Sequence, residues 1–404
     1  MSTFEAPISR LAQIGNARLI AIGGLGLGLF AFWLSLPPWG VDTAGAPIGV
    51  GIAGALAGLY AAMREERKLG IWAIITSLLA VAAALWIQGR DDAAVEAVVT
   101  TGLIASMLRF ATPLAFAAIG GIINERSGVV NIGLEGMMLA GAFFGIWATI
   151  WSGSWAIGLL MAMVFGGLFA LIHAFFCIHL RADQIVVGTA INFLALGITG
   201  YLFRDIYGPQ GTPSDISRIP TLDLGFLGSI PLVGDFLDDV FGNLSLMIWL
   251  MFALLILAWL VIFHTPIGLR LRSVGEHPRA AETVGISVYG VRYVAVVISG
   301  MLAALGGAYL SVGFTGTFNE NMSAGRGFIA LAAVIFGKWH PFGAFGACLL
   351  FGFASALSIP LQREADISAN LLSTLPYVLT LVALVGVIGR SVGPAAVGRP
   401  YTKA

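Results

Sequence analysis

Charge is what this sequence has least of. Only 10% of its 404 residues are Asp, Glu, Lys or Arg, against about 25% in an ordinary soluble domain. The 21 basic and 21 acidic residues cancel, so there is no basic footprint for nucleic acid. Cysteine is nearly absent. Cys177 and Cys348 each sit inside an apolar run and are read as small packing residues, not as a disulfide or metal site. No G-x-x-x-x-G-K-[ST] loop occurs, so the chain carries no phosphate cradle of its own. "FGKWH" has Gly-Lys without the hydroxyl residue, and "GGLGLG" near Gly23 lies within a membrane run with no strand before it. The five histidines are scattered singly, with no H-E-x-x-H spacing of a metalloenzyme. A membrane enzyme is a weak reading for that reason. A channel is weaker, since no filter-like repeat is present.

What the chain has instead is apolar length. Hydrophobic residues make up 58%, mean hydropathy is +0.93, and runs of roughly 18 or more apolar residues recur, each long enough to cross a hydrocarbon core of about 30 Å. The runs are continuous and do not alternate, which excludes a β-barrel. The fold class is therefore all-α, a polytopic integral membrane protein. Glycine is abundant, with 53 copies; in a membrane, small residues let helix backbones approach closely. Gly141 and Gly145 in "GAFFG" form one small-xxx-small pair.

Three apolar segments come first, at about 19–36, 48–63 and 69–87. The first follows basic residues with no small-residue cleavage site after it, and is expected to be a retained helix and not a removed signal peptide. "REERK" (Arg64 to Lys68) is expected inside and "PPWGVD" outside, because basic loops favour the cytoplasm. Residues 1–90 read as an N-terminal three-helix extension, 91–110 as an interfacial linker helix, 111–390 as the main membrane core and 391–404 as a cytoplasmic tail. In the core, a short segment "LAFAAIGGII" is expected before helices at about 129–150, 155–178 and 184–203. The proline-bearing connection 204–243 should face the periplasm. Further runs lie at 244–263, 294–312, 328–336, 342–357 and 371–388. The total is about 11–12 membrane segments, two of them short or broken, with both termini cytoplasmic.

The two short segments share a plan. "LAFAAIGGIINERSGVVNIGLEGMMLAGAFFG" and "FIALAAVIFGKWHPFGAFGACLLFG" are each an apolar stretch, a polar Gly-containing break and a Gly-spaced helix. Interrupted helices at corresponding places in two halves point to a transport site. Near the first break, Glu125 and Arg126 fall at the predicted cytoplasmic end and are read as structural. Asn131 and Glu135 are four apart, so they are expected to share one helix face. A carboxylate in the bilayer costs roughly 2.5–3.5 kcal/mol on insertion scales, so it faces a cavity or a polar partner. Asn131 and Glu135, with Asn192 in "GTAINFLALG", are candidates for the substrate path; the competing reading is that they only fix helix packing. Arg326 in "SAGRGF" sits at the predicted outer boundary, where it either meets a ligand or snorkels. His173 is read as a packing residue.

The basic segment 265–292 has a different character. In "GEHPRAAETVG", Pro278 suits a first helical turn and Gly285 a left-handed stop. A helix of about two turns is expected, too polar for the bilayer, held between two transmembrane helices on the cytoplasmic side.

"GLRLRSVGEHPRAAETVGISVYGVRY…SGMLAALGGAYL" resembles the coupling segment of ABC-importer permeases of the branched-chain amino acid and simple-sugar class. With "ERSGVVNIGLEGMMLAGAFFG", "ADQIVVGTAINFLALG" and "NMSAGRGFIALAAVIFGKWHPFGAFGACLLFG", it is similar to the nucleoside branch. The resemblance spans about 112–388. It departs where His277 and His340 stand, positions usually Asn in the family, and it leaves residues 1–90 without a role. It implies a permease subunit in the bacterial inner membrane and no enzyme activity or cofactor of its own. ATP would be bound and hydrolysed by a separate ATPase subunit, docked at Gly275, Glu276, Arg279, Ala281 and Gly285. The other implied partners are a second permease subunit, either self or a related chain, and a periplasmic or lipid-anchored solute-binding protein. Nucleosides are the solute by resemblance; the residues themselves also suit simple sugars, nucleobases or a flavin. The alternative class is an ion-gradient-driven secondary transporter, which shares broken helices but needs no docking helix.

Overall fold

The computed structural model describes residues 16–34, 45–64, 66–88, 101–213, 215–230, 234–364, 374 and 391–402. The expected span at 371–388 lies outside the described residues except for Thr374. Among the described residues, eight helices are long and apolar enough to cross a membrane. The chain divides into two compact units, 1–103 with 360–366, and 104–359 with 367–404.

The first unit contains α1 (Asn16–Leu34), α2 (Gly45–Met63) and α3 (Arg67–Gln88). Glycine brings these helices together. A Cβ on Gly58 would lie 2.8 Å from the Gly70 carbonyl oxygen, and one on Gly54 would lie 2.5 Å from the Ser77 hydroxyl. The helices therefore touch backbone to backbone, the packing mode open to helices whose larger side chains gain nothing by leaving lipid.

All but the first three residues of α4 (Thr101–Arg126), a single helix of 26 residues with Pro113 inside it, belong to the second unit. This corrects two expectations. The described part of the supposed interfacial helix, 101–110, and the supposed short segment after it are one continuous helix. The polar residues of 101–110 resemble an interface locally, but nothing in them stops a helix; the Thr112 hydroxyl satisfies the Leu108 carbonyl at 2.7 Å one turn before it. A break at 127–133 follows, then α5 (Leu134–Ser152), which is buried on nearly every side. Next come α6 (Trp155–Ala174), continued by a π-turn to His179, and α7 (Gln184–Tyr207). The connection after α7 holds a two-stranded antiparallel ribbon, β1 (Thr221–Asp223) and β2 (Asn243–Ser245), pairing Leu222 with Leu244. A short amphipathic helix, α8 (Gly234–Phe241), lies between the strands.

The chain continues through α9 (Leu246–His264), α10 (Pro266–Glu276), α11 (Pro278–Thr283) and α12 (Val288–Ala308), the last prolonged by a π-segment to Thr315. It ends its described helices with α13 (Arg326–Phe336) and α14 (Pro341–Glu364). The centre of this unit is α5 against α12. A Cβ on Gly141 would lie 2.2 Å from the Ala304 oxygen, and one on Gly307 would lie 1.8 Å from the Met138 oxygen. Gly145 faces the Ala308 methyl, so both glycines of "GAFFG" serve the same seam. Of the two segments expected to be short, only α13 is. Its 11 residues rise roughly 16 Å, about half a bilayer core.

Candidate functional site

The break at 127–133 is ordered by side chains that take the place of a helical ladder. Gly128 has φ +90, a left-handed turn that glycine adopts without steric cost. Asn124 Nδ2 donates to the Val129 oxygen at 2.8 Å. The Val130 N–H donates to Gln184 Oε1 at 2.7 Å, and the Val130 oxygen lies 3.1 Å from His173 Nε2. Asn192 spans the end of the break, with Nδ2 donating to the Ile132 oxygen at 3.0 Å and Oδ1 accepting from the Gly136 N–H at 2.7 Å. A buried backbone group without a partner is costly, and these residues supply partners from α4, α6 and α7. His173, expected as a packing residue, is fully buried and holds the break. Gln184 was not singled out in the sequence; its place one residue after the helix cap Asp183 concealed its inward role.

The expectation that Asn131 and Glu135 share a helix face is corrected. The helix starts only at Leu134, so Asn131 belongs to the non-helical break. Its amide nitrogen lies 3.4 Å from Met137 Sδ, while its Oδ1 is buried without a hydrogen-bond partner. Glu135 is in the first turn of α5 and reaches the start of α13. Its Oε1 accepts from the Gly325 N–H at 2.8 Å and its Oε2 from the Gly327 N–H at 2.6 Å. The positive ends of two helices therefore meet at one carboxylate. A Cβ on Gly327 would lie 2.5 Å from Glu135 Cα, which explains glycine at that position. Arg326 lies between the two donor residues, and its guanidinium donates to the Met322 and Ser323 oxygens at 3.0 and 3.2 Å. The structure thus brings Asn131, Glu135, Asn192 and Arg326 around the first break and the head of α13.

The same end of α4 also meets the second break, at 337–340 between α13 and α14. Glu125, only 4% exposed, accepts from the indole N–H of Trp339. Arg126 donates to the Trp339 oxygen at 3.1 Å and lies over the Phe263 ring. Lys338 and Trp339 both have φ +54, strained for side-chain-bearing residues. Glu125 and Arg126, read from the sequence as structural, fasten the two interrupted helices together.

The segment at 265–285 forms two helices. The expected one appears as α11, with Pro278 in its first turn and Gly285 at φ +82, its N–H bonded to the Glu282 oxygen at 2.9 Å. The preceding α10 was not anticipated; Thr265 caps it, accepting from the Gly268 N–H at 3.3 Å. Gly275 is buried on the end of α4, where a Cβ would lie 2.1 Å from the Arg126 oxygen. Ala281 is buried with Val274, Val288 and Tyr401. Glu276, Arg279 and Gly285 are exposed.

A family model described as the permease component of branched-chain amino acid transport systems matches residues 103–386. The chain belongs to this permease family. The guanosine ABC transporter permease protein NupQ of Bacillus subtilis is 46% identical over 314 residues, covering 74% of this chain and 96% of the relative. The nucleoside ABC transporter permease protein NupC of Lactococcus lactis is 40% identical, with the same shares covered. The putative glucose ABC transporter permease protein TsgC13 of Haloferax volcanii is 31% identical, over 70% of this chain and 90% of its own length. No solved structure matches the chain. The permease is thus a multi-pass transport subunit of an ABC importer and not an enzyme, a class that works with an ATPase and a solute-binding protein. The family match begins at residue 103, so α1–α3 lie outside it.

Proposed function

We propose that the permease carries nucleosides, or a closely related uncharged polar solute, along a path beside the first helix break. The observation that carries this reading is the Glu135 carboxylate at the head of α13. Half-helix N-termini in transporters commonly point at anionic groups of the substrate. Here the protein's own carboxylate already occupies that positive end, which disfavours a solute carboxylate and favours a neutral solute. Asn131, with a buried and unpartnered carbonyl oxygen, is the group best suited to accept from a base N–H or a ribose hydroxyl as the path opens. Asn192, Glu135 and Arg326 shape that wall. The nucleoside and guanosine permeases among the relatives support the same choice.

In this reading the permease binds no cofactor. ATP is bound by the partner ATPase, which docks on α11 and the exposed Arg279. A second, related permease completes the pathway, and both termini face the cytoplasm of a bacterial cell in its inner membrane. The test is uptake by the complete complex in proteoliposomes. ATP-dependent accumulation of labelled nucleoside, with branched-chain amino acids neither transported nor competing, is expected. Transport of a branched-chain amino acid in preference to nucleosides would refute the neutral-solute argument. Accumulation by the permease alone, driven by an ion gradient, would refute the ATP-driven reading.

A further inference from the structure

The chain after residue 390 reads in sequence as a cytoplasmic tail, and it lies beyond the part matched by the family model. In the structure, 391–402 is laid across three parts of its unit. It binds the coupling segment: the Ala396 N–H donates to the Gly275 oxygen at 2.9 Å, and the Ala395 N–H to Glu276 at 3.1 Å. The Tyr401 hydroxyl donates to the carboxylate of Glu282 on α11, and the Tyr401 ring, 5% exposed, packs with Ala281 and Val274. It binds the first break: the Gly398 N–H donates to the Gly128 oxygen at 3.2 Å. It also binds the second: Ser391 Oγ donates to the Ile335 oxygen at 3.1 Å, and Gly393 lies against the Trp339 indole, where a Cβ would be 2.9 Å from the ring.

Arg292 ties tail and break together from α12. It is 2% exposed. Its Nε donates to the Ser127 oxygen at 3.2 Å and its Nη1 to the Arg399 oxygen at 3.3 Å, while the guanidinium carbon lies 5.9 Å from the centre of the Tyr401 ring. Burial, reinforced by Glu282, pushes the Tyr401 phenol up to about 12, so it remains a hydrogen-bond donor throughout the physiological range.

We propose that this tail is the linkage through which the coupling segment acts on both helix breaks, with Tyr401 and Arg292 as its positioning residues. A displacement of α11 pulls on Tyr401 through Glu282. The tail passes it to Gly128 in one break and to Trp339 in the other, the two places where the helices lack a continuous ladder and yield first. Neither residue need touch the solute. Coupling travels through packed and hydrogen-bonded elements with more than one arrangement, and this strap reaches the coupling segment and both breaks.

The inference rests on the importer reading, and the experiment keeps the two apart. The complete complex is reconstituted with its ATPase and binding protein, and solute transported per ATP hydrolysed is measured for wild type, Tyr401→Phe and Tyr401→Ala. Tyr401→Phe keeps the packed ring and removes only the bond to Glu282. It is expected to assemble and hydrolyse ATP as wild type does, with solute per ATP reduced roughly tenfold to a hundredfold, the range set by one hydrogen bond to a charged group. Tyr401→Ala should be more uncoupled. Wild-type solute per ATP in Tyr401→Ala would overturn the proposal, with or without a lowered melting point. Loss of ATPase copurification in Tyr401→Phe would overturn it as well, by assigning the tail to docking. A wild-type complex that transports nothing with ATP would refute the importer reading itself.

Discussion

Replacing Glu135 with glutamine tests whether this carboxylate holds α13 in place. Both oxygens accept from backbone N–H groups, at 2.8 Å from Gly325 and 2.6 Å from Gly327. Glutamine keeps the size but offers one acceptor and one donor, so one buried N–H is left facing an NH2 group. An unsatisfied buried donor costs about 1–3 kcal/mol, and the remaining bond loses its charge assistance, about 1 kcal/mol more. Removing the charge from the ends of two helices adds about 0.3–1 kcal/mol each. The sum is roughly 3–6 kcal/mol, which corresponds to a melting temperature lower by about 5–15 °C for a unit of this size. Gly327→Ala should give a smaller loss, about 1–3 kcal/mol, by forcing α13 away from Glu135 without touching the charge. The assay is a melting curve of the purified permease beside uptake per assembled complex. Glu135→Gln is expected to fall in both, and Glu135→Asp, which keeps the charge on a side chain one methylene shorter, should recover part of the melting point. A glutamine variant with the wild-type melting point and strongly reduced uptake would refute the tether and make Glu135 a direct solute ligand.

Asn192→Ala removes partners from the Ile132 oxygen and the Gly136 N–H; a loss of about 1–3 kcal/mol is expected, and an unchanged melting curve would show that water replaces the amide at no cost. Arg279→Glu, at an exposed position, should leave the melting point unaltered and weaken copurification of the ATPase roughly tenfold or more; undiminished copurification would remove Arg279 from the docking surface. Burial, with Arg126 beside it, holds His340 in the second break below the ordinary histidine value of 6.5. The unfolded chain therefore binds the proton more readily, so stability is fully present above about pH 6.5 and declines as pH falls through the folded value. His340→Asn should flatten that decline, and an identical pH–melting profile in the variant would refute the assignment.

Composition and apolar run length determined the class of this protein. A chain this poor in charge and this rich in long apolar runs has no soluble solution, because lipid requires backbone groups to be satisfied within each segment. The helix α11 was also legible, since Pro278 and Gly285 encode its start and stop locally. The start of α5 was not. Helical periodicity continues through Asn131 in the sequence, yet the chain is broken there, because Asn124, His173, Gln184 and Asn192 compete for its backbone. Three of those four lie 40 or more residues away along the chain, beyond any local pattern. The partner of Glu135 was equally hidden: a carboxylate in an apolar run announces that it needs a partner, but the N–H groups of Gly325 and Gly327 carry no side-chain signature. The tail gives the same lesson in another form. Its anchors are mostly backbone groups, so its small and polar residues look like a solvated end, and only the packing of Tyr401 against α10 and α11 decides that it is part of the unit.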